Sequence, residues 1–345
     1  MRIYPIFIPH QGCPFRCVYC NQHAVTSSAL EEGVSPVHLV PRVRQGLAQL
    51  VEDARRSGLP GEIAFYGGTF TALPMETMEE LLDETIRWVR AGVFTGIRFS
   101  TRPDGITAEV ARFLKNYPVR TVELGVQSLS DEVLARSRRG YSVETVEKAV
   151  AMVREKGWEL GLQMMPGLPG DTRERFEESI YKAIRMKPAF VRIYPTLVLN
   201  ETPLAEWYGS GAYDPLTLEQ AIQWCVPAYD AFSKAGIAVA RMGLHADPEL
   251  RKEGRVLAGP YHPSFGYLVR VYWWRDRVDR HLRDRPGHTN TGRVVLHVSK
   301  RVVSEAVGPG RGNISYWRQK WKIDELKVIG EPDWLPTRFE CCSEL

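Results

Sequence analysis

Cysteine is scarce in this sequence, internal repeats and low-complexity tracts are absent, and the apolar run near the start is too short to cross a bilayer. That run, Ile3 to Pro9, also lacks the charged start and small-residue cleavage site of a secretory signal, so a cytoplasmic chain without a membrane anchor is expected. Only six residues of 345 are cysteine, and three of them fall between positions 13 and 20. In a cytoplasmic chain of this length such clustering speaks against a disulfide framework and for metal binding. Cys225, among helix-forming residues beside Trp224 and Val226, reads as plain core. Cys341 and Cys342 read as part of a polar tail without a role. A strong charge of either sign is missing too: the formal net charge is +4. It is unevenly spread, with 18 Lys/Arg against 13 Asp/Glu in residues 246–345 and 27 against 28 before them. A modest excess of this kind more often marks a solvated surface than a binding face, so by itself it points only weakly to nucleic acid.

What is present suits a large α/β domain with a small appendage. With 44% hydrophobic residues the chain can bury a full core. Short apolar runs alternate with helical patterns, the signature of repeated βα units around a parallel sheet. Six strands are predicted, at Ile3–Ile8, Glu62–Tyr66, Ile97–Thr101, Thr121–Val126, Leu160–Met165 and Phe190–Pro195, with a possible seventh at Ile237–Met242. Helical spacing marks Met75–Ala91, Ala108–Lys115, Val143–Lys156 and Arg173–Met186. Nearly every strand runs into polar or glycine-rich sequence: Gly67-Gly68-Thr69, Ser100-Thr101-Arg102-Pro103, Gln127-Ser128, and Pro166-Gly167-Leu168-Pro169-Gly170. Any one of these could simply punctuate a turn. Together they predict a site at the carboxyl ends of the strands.

The pattern breaks down over Leu244 to Gly292, which predicts a domain boundary there. Order resumes as strand Val294–Val298, helix Ser299–Val307, a glycine loop, helix Asn313–Trp321 and strand Leu326–Ile329.

The segment Gly12-Cys13-Pro14-Phe15-Arg16-Cys17-Val18-Tyr19-Cys20-Asn21-Gln22 places three thiols in one loop directly after the first strand. Three thiolates on a four-iron cluster leave one iron without a protein ligand, a vacancy that a cofactor can occupy, whereas electron-carrier clusters normally use four cysteines. Zinc is the other candidate, with His10 or His23 as the fourth ligand. The CxxxCxxC spacing, with the aromatic Tyr19 just before the last cysteine, resembles that of the radical S-adenosylmethionine (SAM) enzymes. The resemblance covers roughly residues 1–245. It implies a partial (β/α)6 barrel, a 4Fe-4S cluster on Cys13, Cys17 and Cys20, and SAM chelated at the open iron. By the same resemblance Gly67, Gly68 and Thr69 bind the SAM amino group, Ser100 and Arg102 reach ribose or carboxylate, Gln127 and Gln163 follow on the next strands, and Arg139 or its neighbour Arg138 meets the carboxylate. Where many relatives carry acidic residues on the third and fifth strands, this chain has Ser100 and Gln163. A reduced cluster would then cleave SAM to methionine and a 5'-deoxyadenosyl radical, fed by an external electron donor such as flavodoxin or ferredoxin.

The phrases Gly125-Val126-Gln127-Ser128, Arg139-Gly140-Tyr141 and Gln163-Met164-Met165-Pro166-Gly167-Leu168-Pro169-Gly170 look like the radical SAM domain of the elongator catalytic subunit and its shorter bacterial relatives, which implies tRNA as substrate. Only about 100 residues follow the barrel, without an acetyltransferase-length α/β pattern, so the elongator product is not implied. Coproporphyrinogen oxidase shares the general barrel motifs and is the enzymatic alternative; a non-enzymatic iron-sulfur RNA-binding protein is the other. Residues 290–345 resemble a small KH-like α+β domain, with Arg311 where the second glycine of the GXXG loop belongs. Between the two, residues 246–289 form a junction in which Tyr261, Phe265, Tyr267, Tyr272, Trp273 and Trp274 alternate with Arg270 and Arg275, either to stack on bases or to pack.

Overall fold

A computed structural model describes residues 2–8, 10–14, 16–21, 36–244, 250, 252–284 and 292–344. Strands β1 (Arg2–Phe7), β2 (Gly61–Tyr66), β3 (Gly96–Thr101), β4 (Val119–Gln127), β5 (Glu159–Met164), β6 (Phe190–Ile193), β7 (Val198–Leu199), β8 (Ala238–Met242) and β9 (Val256–Ala258) come first. Seven of them form one parallel sheet in the order β1-β2-β3-β4-β5-β6-β8, while β7 and β9 pair antiparallel apart from it. All six expected strands are present, and the possible seventh is β8. The helices between them are α1 (Pro36–Ser57), α2 (Met75–Arg90), α3 (Ala108–Leu114), α4 (Asp131–Arg136), α5 (Val143–Glu155), α6 (Arg173–Arg185), α7 (Pro203–Gly209) and α8 (Leu218–Lys234). Five start where a hydroxyl can take up a free amide of the first turn: Thr107, Ser142, Thr172, Thr202 and Thr217 each accept one.

The two faces of the sheet differ, because successive side chains on a strand point to opposite sides. Ile63, Phe65, Phe99, Val122, Leu124, Leu162 and Val191 make one face and are fully buried; each such side chain contributes about 1.5–3 kcal/mol. Phe65 and Phe99 both stack on Phe70, with centroids 4.8 and 5.0 Å apart. Register places Tyr66, Ser100, Glu123, Gln163 and Arg192 on the opposite face. There Arg192 on β6 donates to the Tyr66 hydroxyl on β2 at 3.2 Å. Four strand spacings would separate those strands by about 19 Å in a flat sheet, so the sheet is curled into a half-barrel with this polar face inside.

Packing divides the chain into two compact units, residues up to Ala221 with Ala231–Pro263, and Ile222–Asp230 with Ser264–Leu345. In the second unit α9 (Phe265–Asp284) precedes β10 (Arg293–Ser299), α10 (Val303–Val307), α11 (Gly312–Trp321), β11 (Glu325–Glu331) and β12 (Phe339–Glu344). The expected strand, helix, glycine loop, helix, strand order is present, with β11 parallel and β12 antiparallel to the central β10. Two expectations change. The irregular stretch before β10 contains a helix of 20 residues, held by Val269, Trp273, Trp274 and Val278 on its buried side. The polar tail is a strand, and it buries Cys341. Phe265 and Trp273 are core side chains, so they are unavailable to stack on bases, while Arg275 lies between the rings of Tyr272 and Tyr316 at 4.6 and 4.8 Å. Cys225 is fully buried, as core. Among the described residues no helix is long and apolar enough to cross a membrane.

Candidate active site

The cysteine loop leaves the end of β1 and settles against the loop that follows β2 through main-chain bonds. The His10 amide donates to the Gly67 carbonyl and the Thr69 amide to the Gln11 carbonyl, both at 2.8 Å. Gly12 and Gly68 permit the approach. Gly12 has φ +72 and a Cβ there would meet the Thr69 carbonyl oxygen at 2.2 Å; a Cβ on Gly68 would stand 2.3 Å from that of Gln11. The glycine predicted to admit a cofactor therefore also admits the cysteine loop itself. The far side of the loop is pinned by the Leu204 amide on the Val18 carbonyl at 2.9 Å and by Asn21 Nδ2 on the Asn200 carbonyl at 3.0 Å. Val18 and Tyr19 pack with Val133, Leu168 and Leu204.

The thiols face polar partners from the neighbouring strand ends. Cys13 Sγ lies 3.3 Å from Thr69 Oγ1. Arg139 Nη1 donates to Cys17 Sγ and to the Tyr19 hydroxyl, both at 2.9 Å, while its Nη2 reaches the Gly125 carbonyl at 2.6 Å and its Nε the Tyr141 hydroxyl at 2.8 Å. One guanidinium thus ties the cysteine loop to the end of β4. Burial works against its charge, but Tyr141, Tyr19 and Cys17 more than offset this and hold Arg139 protonated. Burial also pushes the Cys13 thiol up, opposed by the Thr69 hydroxyl and by Arg102 and Arg139, and it raises the Tyr19 phenol. Of the two arginines named from the sequence, Arg139 is buried and turned to the thiols. Arg138 is exposed, with its guanidinium over the Trp207 ring at 5.4 Å.

The other expected residues take distinct places. Arg102 pairs with Asp104 at 2.7 Å, donates to the Arg139 carbonyl, and has Nη1 3.9 Å from Cys17 Sγ, so it braces Arg139 from the end of β3. Gln127 ends β4 with φ 66, a strained conformation for a residue with a side chain, and its Oε1 is buried without a partner. Ser100 and Gln163 lie deeper on the inner face, where Gln163 Nε2 donates to Glu123 at 3.3 Å. Glu123 is the residue that sequence reasoning missed. Fully buried, it accepts from Tyr66 at 2.6 Å, Arg98 at 3.0 Å and Arg192 Nη2 at 3.2 Å, with Arg192 Nε 2.8 Å away as an ion pair, while Arg98 Nε also reaches Glu62 at 2.6 Å. A charged residue inside each of several otherwise apolar parallel strands was the available signal. His23 and Gln22 lie outside the described residues.

Among the described residues no three His, Cys, Asp or Glu side chains close on one point as a single bound ion requires. A four-iron cluster asks for something else, one thiolate to each of three irons. The donor set fits it: three thiols on one loop, a buried guanidinium with no carboxylate partner among the described residues, and the orphaned Gln127 oxygen at the same strand end.

The Radical SAM superfamily profile matches residues 7–182, and that of the Radical_SAM C-terminal domain matches residues 188–274. The tRNA uridine(34) acetyltransferase of Dehalococcoides mccartyi (strain CBDB1) is 27% identical over 231 residues, 59% of this chain and 50% of that protein. The protein of the same name from Methanocaldococcus infernus is 38% identical over 128 residues, 36% of this chain and 24% of that one. The chain therefore spans half the length or less of these two relatives. In fold it resembles the archaeal Methanocaldococcus infernus Elp3 with an N-terminal deletion, with TM-score 0.60 and 23% identity over 80% of this chain and 63% of that one. With the family profile covering half of the sequence and its cysteine loop seated at the mouth of a parallel half-barrel, the chain belongs to the radical SAM superfamily.

Proposed function

We propose that this protein is a radical SAM enzyme that modifies tRNA. Cys13, Cys17 and Cys20 would each hold one iron of a 4Fe-4S cluster, and Gly67, Gly68 and Thr69 would offer main-chain groups to the SAM amino group. Arg139 would meet the carboxylate, with Tyr19, Ser100, Arg102, Gln127 and Gln163 completing the cofactor's surroundings. When bound, the cluster and SAM supply a one-electron cleavage that yields a 5'-deoxyadenosyl radical. The chain's own residues position and shield. Arg139 fixes the cysteine loop against β4, Arg102 holds Arg139 in place, and the apolar packing around Val18 and Leu168 keeps water from the Cys17 thiol. The observation that carries the proposal is this one guanidinium joining Cys17, Tyr19 and Gly125, which links cluster ligand and strand end in a single hydrogen-bonded unit.

A tRNA substrate is supported by the names of the two relatives and by the second unit. There Gly310 and Arg311 take left-handed backbone, φ 56 and 61, so Arg311 adopts the conformation of the glycine it replaces and stays exposed. An exposed arginine at such a loop suits a phosphate. The test is 5'-deoxyadenosine release by the anaerobically reconstituted protein with SAM and a flavodoxin- or ferredoxin-type reductant. Bulk tRNA from a strain lacking the protein is expected to stimulate release and to gain mass on a nucleoside. Indifference to tRNA together with stimulation by a porphyrinogen would overturn the proposal.

A further inference from the structure

The inner face of the half-barrel carries charges of both signs, with Glu159 near its start hydrogen-bonded to Thr121. Glu62 and Glu123 are fully buried there, beside the buried Arg98 and the half-buried Arg192. Arg98 is compensated by both carboxylates, and Arg192 by Glu123. A third guanidinium remains. Past a bulge in the ladder, register pairs Arg241 on β8 with Arg192 on β6, and Arg241 is half-buried with no carboxylate partner among the described residues. Neighbouring strands lie about 5 Å apart, and like charges at paired positions repel.

Each of these arginines sits one residue before the end of its strand, at the carboxyl edge where a parallel barrel forms its site. Arg192 is clamped from behind, its Nε on Glu123 at 2.8 Å and its Nη2 on the Tyr66 hydroxyl at 3.2 Å. That leaves Nη1 turned toward the Tyr194 hydroxyl at 3.4 Å. Burial pushes the Tyr194 phenol up, Arg192 pulls against it, Glu123 adds to the rise and Arg241 opposes it most weakly, so both cations and Glu123 act on one hydroxyl. Arg241 thus stands beside Arg192 and the phenol, and whereas Glu123 balances Arg192, no carboxylate among the described residues balances Arg241. An oxyanion supplies that balance, and guanidinium forks match the oxygens of a phosphate.

We infer that Arg192, Tyr194 and Arg241 receive a phosphate group of the substrate. On the tRNA proposal, which this inference deepens, the group is the backbone phosphate beside the modified nucleoside. A free nucleotide would offer the same chemistry, and uridine monophosphate in place of tRNA separates the two sources.

The experiment compares wild-type, Arg241→Gln and Arg241→Lys holoproteins, with iron content and far-UV circular dichroism confirming that each is folded. tRNA-dependent 5'-deoxyadenosine release is followed across salt concentrations, and inorganic pyrophosphate binding is measured by calorimetry. Arg241→Gln is expected to raise KM for tRNA about ten-fold, the loss of one charge-assisted contact, and to reduce the salt slope by about one. Arg241→Lys restores the slope and only part of the KM, since the planar fork is gone. Arg185→Gln, on the outward side of α6, changes neither. Pyrophosphate binding is expected to weaken about ten-fold in Arg241→Gln. If KM, slope and pyrophosphate affinity are all unchanged in that variant, the site is refuted even though tRNA still drives the wild type. If the wild type ignores tRNA yet binds pyrophosphate through Arg241, the phosphate site stands and the tRNA proposal falls.

Discussion

Replacing Gly68 with alanine strikes the contact on which the cysteine loop rests. The new Cβ would stand 2.3 Å from the Gln11 carbonyl oxygen, 2.8 Å from that of Ile8 and 3.1 Å from the Gln11 nitrogen. All three are main-chain atoms, so no side-chain rotation relieves the overlap. Real Cβ atoms do not approach closer than 3.0 Å, and moving from 2.3 Å to that limit shifts Gln11 by at least about 0.7 Å. The 2.8 Å bonds from His10 to Gly67 and from Thr69 to Gln11 then reach the edge of hydrogen bonding. Losing both costs about 1–3 kcal/mol. The displaced loop carries Cys13, so the variant should also bind less iron. Thermal unfolding by circular dichroism and iron content after anaerobic reconstitution read the two effects. Gly46→Ala is the control: nothing lies within 4 Å of its Cβ position in α1, and the exchange should stabilise by up to about 1 kcal/mol. Full iron content and an unchanged midpoint in Gly68→Ala would refute the close-packing argument.

Glu123→Gln leaves Arg98 and Arg192 short of their shared carboxylate and should destabilise by about 3–5 kcal/mol in urea unfolding; a loss under about 1 kcal/mol contradicts the network. Arg139→Lys cannot reach Cys17, Tyr19, Gly125 and Tyr141 together, so SAM affinity by equilibrium dialysis should fall about ten-fold, and an unchanged affinity removes Arg139 from the cofactor site. Burial pushes the Asp171 carboxyl from 3.8 up to about 7, opposed by the Gly167 and Thr172 amides. The folded state therefore holds that proton more tightly than the unfolded state, so stability is greatest below about pH 4 for this group and declines as pH rises through about 7. Asp171→Asn should lack that part of the pH slope, and an identical slope in the variant would show that Asp171 titrates elsewhere.

Much of this was legible because the core obeys simple periodicities. The apolar runs at Ile63–Phe65 and Leu160–Leu162, and Val122 and Leu124 on either side of Glu123, lie in buried strands, and the Gly and Pro clusters after them are the loops at the site. The CxxxCxxC spacing located the cysteine loop without any fold. α1 was not among the helices singled out, although Leu39, Val43, Leu47 and Val51 recur at four-residue spacing and are all buried; Pro41 within its first turns weakened the pattern. α9 was hidden differently. Its arginines and aromatics look irregular as a string, and only packing reveals Trp273 and Trp274 as core while Arg275 lies between two tyrosine rings. The inner network of Glu62, Arg98, Glu123 and Arg192 joins four strands far apart in sequence, so its pairings required the register. The choice of Arg139 over Arg138 likewise depended on burial, which adjacent identical residues do not disclose.

The most direct test of the central claim is 5'-deoxyadenosine and methionine formation by the reduced, anaerobically reconstituted protein with SAM, in wild type and in Cys13→Ala, Cys17→Ala and Cys20→Ala. Each thiolate is assigned a separate iron, so the wild type should carry about four irons and release both products, while each variant should release neither. Undiminished product formation in any one of the three variants would contradict the assignment of the cysteine loop as the cluster site.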